Sequence, residues 1–374
     1  MSIITEIDPK QQQTSAFKFN YLIAIKPLGL LYGSRGRFIS PDNIVGRSGT
    51  SFPPVSPTLS GVFAAEYGQD NPCLKDLVVA GGFWAKSQDI QSFFVPTPLN
   101  ILVNQEEIQP FKDCSLKWHT IKDKLTWDST EQKWTKQQKT DTGKNHQSAT
   151  WIKIDDWQKL QHWSIKSPLL VCESPWQELP HLHPGLEENE RHTKRVEEDG
   201  RGSLFLENAV QLNPDVSLVY LSNQSLSLDL GKTGWYRFGG EGHIVEISCH
   251  ELAETTQNLL TETITDQLAL ITPAVWGSNH LSYRDPKIFD NEQWRDIWKL
   301  KTLITERPTP FRYRLGGKGK NKRLSRGRYA IPAGTVYLLE NPLNLPWLQW
   351  PESWFPVEGY SFKRWGCGLA LPLK

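Results

Sequence analysis

Histidines at positions 181 and 183 stand two apart, a spacing that puts both imidazoles on one face of a strand and could serve a zinc ion. His192 and the acids Glu197, Glu198 and Asp199 follow in the same polar run. Pro184-Gly185 breaks the segment at once and no Cys or Glu frame stands close by, so a polar loop is the plainer reading. Metal-free RNA cleavage would need a general base beside a 2′-hydroxyl, usually a histidine. His183, His192 and His243 are the candidates near basic residues, and their spacing identifies no catalytic pair.

Anion binding has a broader basis. The stretch FRYRLGGKGKNKRLSRGR, from Phe311 to Arg328, carries Arg312, Arg314, Lys318, Lys320, Lys322, Arg323, Arg326 and Arg328 and no acid, in a chain whose net charge is only +1. Phe311, Tyr313 and Tyr329 bracket it. Charge interleaved with aromatics suits single-stranded nucleic acid, where cations follow phosphates and rings stack on bases. Three glycine-rich turns also carry positive charge: one around Arg35 and Arg37, one around Arg237, Gly239, Gly240, Gly242 and His243, and one around Lys363 and Arg364. Glycine allows close approach, and exposed N–H groups beside arginine make an anion site. The alternative is a set of tight turns on a solvated surface. Gly231-Lys-Thr233 ends like a phosphate-binding loop, but the required earlier glycine is Leu226. GGEGH lacks the dinucleotide spacing. NTP hydrolysis and nicotinamide chemistry are therefore not expected, and no cofactor or metal is implied.

The elements that must position these residues can be read from period and punctuation. At 374 residues, with 38% hydrophobic and 22% charged residues, the chain is globular and long enough for two domains. Residues 1–16 are polar and read as a flexible N-terminus rather than a secretory signal. No run approaches the roughly 20 apolar residues of a membrane span. Five scattered cysteines without a CxxC pair fit reduced thiols in the cytoplasm. Strands are expected from Phe17 to Leu31, Leu77 to Trp84, Phe93 to Val103, in SLFLENAVQL, VSLVYLS, IVEIS and LALITPAVW, at Phe311 to Arg314 and at Thr335 to Leu339. Ser56-Pro57 has the form of an N-cap and first helical residue, with Leu59, Val62, Phe63 and Tyr67 on one face. Glu251 to Asp266 reads as an amphipathic helix. Residues 105–166 look like an insert with short helices or a hairpin, and the polar run from His181 to Gly202 like a projecting hairpin. Of the 16 tryptophans, seven fall between Trp118 and Trp176. Core packing is their ordinary use, and base stacking the other. The expected class is α+β, with an N-terminal domain at 17–233 and a C-terminal domain at 234–374.

FPPVSPTLSGVF after a basic loop, HTKRVEEDGRGSLFLENAVQL in mid-chain, GWYRFGGEGHIVEI at the half-way point and RYAIPAGTVYLLE near the end form an ordered set. In that set the chain resembles the RAMP superfamily of CRISPR proteins, and most nearly the subunit that caps the crRNA 5′ tag in type III-B (Cmr) effector complexes. The resemblance implies two ferredoxin-like (RRM-related) domains and a β-hairpin thumb, here about 186–205, that displaces a nucleotide of the guide. It implies a tag site drawing on Arg35, Arg37, Arg47, the helix start at Ser56 and Thr58, and the turn from Arg237 to His243. Lys194, Arg195 and Arg201 would belong to the thumb. The implied partners are crRNA, the large polymerase/cyclase-like subunit, the backbone RAMP subunit and target RNA, with no membrane.

Three functions follow as expectations. The first is a non-catalytic guide-binding subunit in antiviral defence. The second is a RAMP endoribonuclease that matures guide RNA. The third is a structural adaptor whose basic loops meet acidic proteins.

Overall fold

The computed structural model describes residues 17–32, 52–68, 70–104, 106–108, 116–137, 149–164, 166, 168–184, 204–277, 281–290, 293–316 and 323–373. The expected flexible N-terminus and the expected thumb tip lie outside them. The chain opens with β1 (Tyr21–Pro27) and β2 (Leu31–Tyr32), then α1 (Pro57–Tyr67), β3 (Val79–Lys86), β4 (Asp89–Pro96) and β5 (Ile101–Val103). It continues with β6 (Trp118–Asp128), β7 (Lys133–Lys136), β8 (Thr150–Lys153), α2 (Trp157–Gln161), β9 (Leu170–Glu173), β10 (Trp176–Pro184) and β11 (Leu204–Leu212). Next come β12 (Val216–Ser222), β13 (Thr233–Phe238), β14 (His243–Glu251) and α3 (Glu254–Leu260).

Eleven strands form one sheet in the order β13-β14-β1-β12-β3-β4-β8-β9-β6-β5, with β7 paired to β6. β1 lies inside it and buries both faces, which is why YLIAI is a continuous apolar run. Ile23 and Ile25 pack with Leu59, Val62 and Phe63 of α1. Leu22 and Ala24 face the other way, into a larger core shared with the C-terminal half. β10 and β11 form a separate ribbon that also pairs with β2.

A second sheet of four strands has the order Leu300–Ile304, Val336–Leu339, Gln267–Leu270, Ala370–Pro372. In both this sheet and the stretch β14-β1-β12-β3 every neighbouring pair is antiparallel, and the first and third strands in chain order lie at the centre. Only the crossover from β1 to β3 carries an α-helix among the described residues; short 3-10 turns and hairpins stand in the others. The class is therefore α+β and strongly sheet-rich.

Three expectations change in detail. Residues 105–166 contribute β6, β7, β8 and α2, and β8 and β9 lengthen the main sheet from β4 outward. The pairing of Thr233–Phe238 and His243–Glu251 places the strands that open the expected second half inside the first sheet. The expected helix from Glu251 shortens to α3, because Glu251 pairs with Tyr21 and Gln267 begins a strand.

Most tryptophans are core. Trp84 stacks on Phe94 at 4.0 Å, and Trp118, Trp151 and Trp176 complete a cluster around them. Trp276, Trp298 and Trp350 meet edge-on or tilted in the C-terminal half. Cys73, Cys249 and Cys367 are free thiols.

The two sheets touch most closely where the chain returns from the turn Phe362–Trp365. Gly366 has φ +61°, and a Cβ there would fall within 2.8 Å of Val79 O and inside the space of Ala80 on β3. A side chain at that position faces both left-handed strain and overpacking against backbone. Gly366→Ala is expected to lower the unfolding free energy of the full chain by about 2–5 kcal/mol in a urea titration.

Candidate nucleic-acid interface

β13 and β14 are joined by Phe238-Gly-Gly-Glu-Gly-His243. Gly239 and Gly242 take φ +76° and +69°, and Gly242 N–H donates to Gly239 O at 3.2 Å. This turn rests on the start of α1, where Thr58 Cγ2 lies 3.9 Å from the Cβ position of Gly239. Its other side meets the strand Arg314–Gly316, which begins the basic loop. A Cβ on Gly240 would lie 2.7 Å from Arg314 Nε, so glycine here lets a guanidinium lie flat against the backbone. Arg314 also approaches Glu241 at 3.6 Å. Both groups are exposed, and such a pair holds geometry weakly. Arg237 is exposed on β13 and its side chain passes over Gly242.

The same corner receives β2. Tyr32 N–H donates to His243 Nε2 at 3.3 Å, which places the proton of a neutral imidazole on Nδ1. The two rings stack at 5.4 Å. On the other side, Tyr32 Oη lies 2.5 Å from His181 Nδ1, with the rings 6.1 Å apart. Three basic segments thus leave from one neighbourhood. Residues 33–51 follow Tyr32, residues 185–203 stand in the chain between β10, which carries His181, and β11, and residues 317–322 follow the strand against Gly240. Arg35, Arg37, Arg47, Lys194, Arg195, Arg201, Lys318, Lys320 and Lys322 lie on those segments, outside the described residues, as does the side chain of Arg323.

Other expected ligands of an anion are used by the fold itself. Ser56 is buried, and its hydroxyl donates to Gly81 O at 3.0 Å instead of capping α1. Arg312 Nε donates to Ser325 O at 2.8 Å. Arg328 is buried, ion-paired with Glu358 and 4.9 Å from the centre of the Phe362 ring. Arg364 donates to Leu77 O and Leu74 O at 3.1 and 2.8 Å. Lys363 is 2% exposed; its ammonium donates to Leu348 O at 2.9 Å and to Trp350 O, beside the rings of Phe17 and Trp347. Aromatic faces lie beside Arg328, Lys363 and Arg364, and backbone carbonyls accept from Arg312, Lys363 and Arg364. Arg326 remains exposed, its N–H bonded to Glu358 at 3.0 Å.

Tyr32, His181 and Trp235 are members of this region that the basic motifs do not point to. Trp235 could have been found from its place two residues before Arg237, hence on the same face of a strand. Among the described residues no group of three or more His, Cys, Asp or Glu is placed to hold a metal ion, and no helix is long and apolar enough to cross a membrane.

A match to a family model gives the class: the chain is a CRISPR-associated protein. The chain belongs to the CRISPR-associated protein (Cas_Cmr3) family, whose model matches residues 45–374. Among solved structures it is similar to a chain in a cryo-EM structure of the type III-B Cmr-beta bound to cognate target RNA. That likeness has a TM-score of 0.42 and 13% identity over 85% of this chain and 86% of that one. It is also similar to a chain of the Csm3-Csm4 subcomplex in the type III-A CRISPR-Cas interference complex, with a TM-score of 0.33 and 10% identity over 87% and 99%. No curated protein matches it.

Two outcomes follow from the geometry. Gly240→Ala displaces only the flexible end of Arg314, so the stability of the folded chain should stay within about 0.5 kcal/mol of wild type, read by melting. Burial lowers the Lys363 ammonium pKa to about 8. The unfolded chain then holds that proton up to about 10.4 and the folded chain does not. Stability from this group therefore rises as pH climbs from about 8 toward 10.4. The difference in unfolding free energy between wild type and Lys363→Met should shift in favour of wild type across that window, measured by denaturation at matched pH.

Proposed function

We propose that the chain is the non-catalytic crRNA-binding subunit of its complex, capping the guide at its 5′ tag. The observation that supports this most is the meeting of the Arg237–His243 turn, the start of α1, Tyr32 and Arg314 at one corner from which three basic segments leave. Backbone N–H groups of the turn and flanking arginines are suited to phosphates, and the β10–β11 ribbon is suited to be the stem of the thumb. In this reading the two sheets are paired ferredoxin-like units, and the subunit works in the cytoplasm. It joins the large polymerase/cyclase-like subunit to the backbone RAMP subunit, near target RNA.

With about five phosphates neutralised, affinity for RNA bearing the repeat-derived tag should fall on the order of 100-fold between 50 and 200 mM salt. Arg237→Glu combined with Arg314→Glu should weaken binding at least about tenfold and flatten that salt slope. Equal binding of tagged and untagged RNA would remove the tag from the proposal. RNA cleavage is the second reading, favoured by Tyr32 lying between the imidazoles of His181 and His243. Tagged RNA that stays intact after prolonged incubation with wild-type protein excludes it.

A further inference from the structure

β13 is the outer strand of the large sheet, and its residues alternate between two environments. Tyr236 and Phe238 turn toward the core beneath α1. Thr233, Trp235 and Arg237 turn away from it and are exposed. Trp235 is 75% exposed, the most open of the large apolar side chains among the described residues, in a protein that buries most of its tryptophans. An indole held in water forgoes a large burial gain.

Its neighbours are set by the ladder. Trp235 stands opposite Glu246, which stands opposite Lys26 on β1. Arg237 stands opposite Ile244, itself 45% exposed, and Leu28 N–H donates to Ile244 O at 3.4 Å. Leu28 is exposed as well. The result is a small apolar platform of Trp235, Ile244 and Leu28, flanked by Arg237 and Lys26. Neither cation forms an ion pair with a described residue. Arg237 lies two residues from Trp235 on the same face, about 6.6 Å away along the strand, and its side chain reaches the Gly242 turn. The platform is therefore continuous with the corner proposed to hold guide phosphates.

We infer that Trp235 is a stacking platform for an unpaired nucleobase of the RNA strand that crosses the Arg237–His243 turn, with Arg237 holding the adjoining phosphate. This rests on the guide-binding reading and adds a base contact to it. Glu246, beside the indole, can accept a hydrogen bond from an exocyclic base amine, which favours adenine, cytosine or guanine over uracil. Stacking on an exposed ring tolerates several bases, so affinity rather than strict sequence choice is its main effect. A protein surface is the competing occupant; the flanking cations and the continuity with the turn favour RNA.

The test uses the full chain and a single-stranded RNA carrying the repeat-derived tag, with 5-iodocytidine, which keeps the exocyclic amine, substituted at successive tag positions. Ultraviolet crosslinking should join one position to the peptide containing Trp235. Trp235→Ala and Trp235→Leu should each weaken binding about 5- to 100-fold, while Trp235→Phe keeps it within about threefold. Melting curves should be unchanged, because the side chain is exposed. If Trp235→Ala binds like wild type while the Arg237→Glu, Arg314→Glu protein does not, the platform is wrong and the guide-binding reading stands. If wild type binds no RNA at low salt, both fall. If the leucine variant binds as well as wild type, or Trp235→Ala loses a co-purifying protein instead of RNA, the face belongs to a protein partner and the inference is overturned.

Discussion

Residues 363–373 join the two sheets through side-chain bonds to backbone carbonyls and one close backbone contact. Lys363 donates to carbonyls of Leu348 and Trp350, and Arg364 to carbonyls of Leu74 and Leu77. Gly366 presses its backbone onto Ala80 of β3. Pro372 O then accepts from Trp157 Nε1 at 2.9 Å and Gln161 Nε2 at 3.1 Å, both on α2. Charge-assisted bonds in a low-dielectric interior are strong when made and costly when left open. This stretch therefore sets how the large sheet sits on the small one. Arg314, from the second half of the chain, reaches Gly240 on the first sheet only because that relation is fixed.

A protein with a net charge of +1 can still present a positive corner, because its cations divide between two uses. Arg328, Lys363 and Arg364 are spent inside, against Glu358, carbonyl oxygens and aromatic faces. Arg237, Arg314 and Arg326 stay at the surface. Counting basic residues along the chain mixes the two kinds. What separates them is the company they keep in space: Lys363 sits between Phe17 and Trp347, and Arg237 lies over a glycine turn.

Local pattern carried much of the fold. Short apolar, strand-forming runs marked β1, β11, β12 and β14, and Pro57 marked the start of α1. The order of glycine-rich and apolar motifs pointed to the family. Features that depend on distant partners were not legible. The hydroxyl of Ser56 looks like a cap until Gly81 O is placed beside it. Residues 105–166 look like an insert with short helices or a hairpin until β8 is paired with β4. The meeting of Gly240 with Arg314 joins two glycine-rich basic motifs that the sequence shows only as separate turns.

The same long-range pairing bears on how the chain is made. β1 pairs with β12 and β14, so Tyr21 waits for Ser222 and Glu251 to be synthesised. At roughly 5–20 residues per second, that delay is on the order of 10–40 s. For that time Leu22, Ile23 and Ile25, all buried in the finished sheet, have no ladder partner. Production of this subunit is thus a race between translation and the adhesion of one early strand. Supplying a chaperone that covers β1 favours the finished sheet.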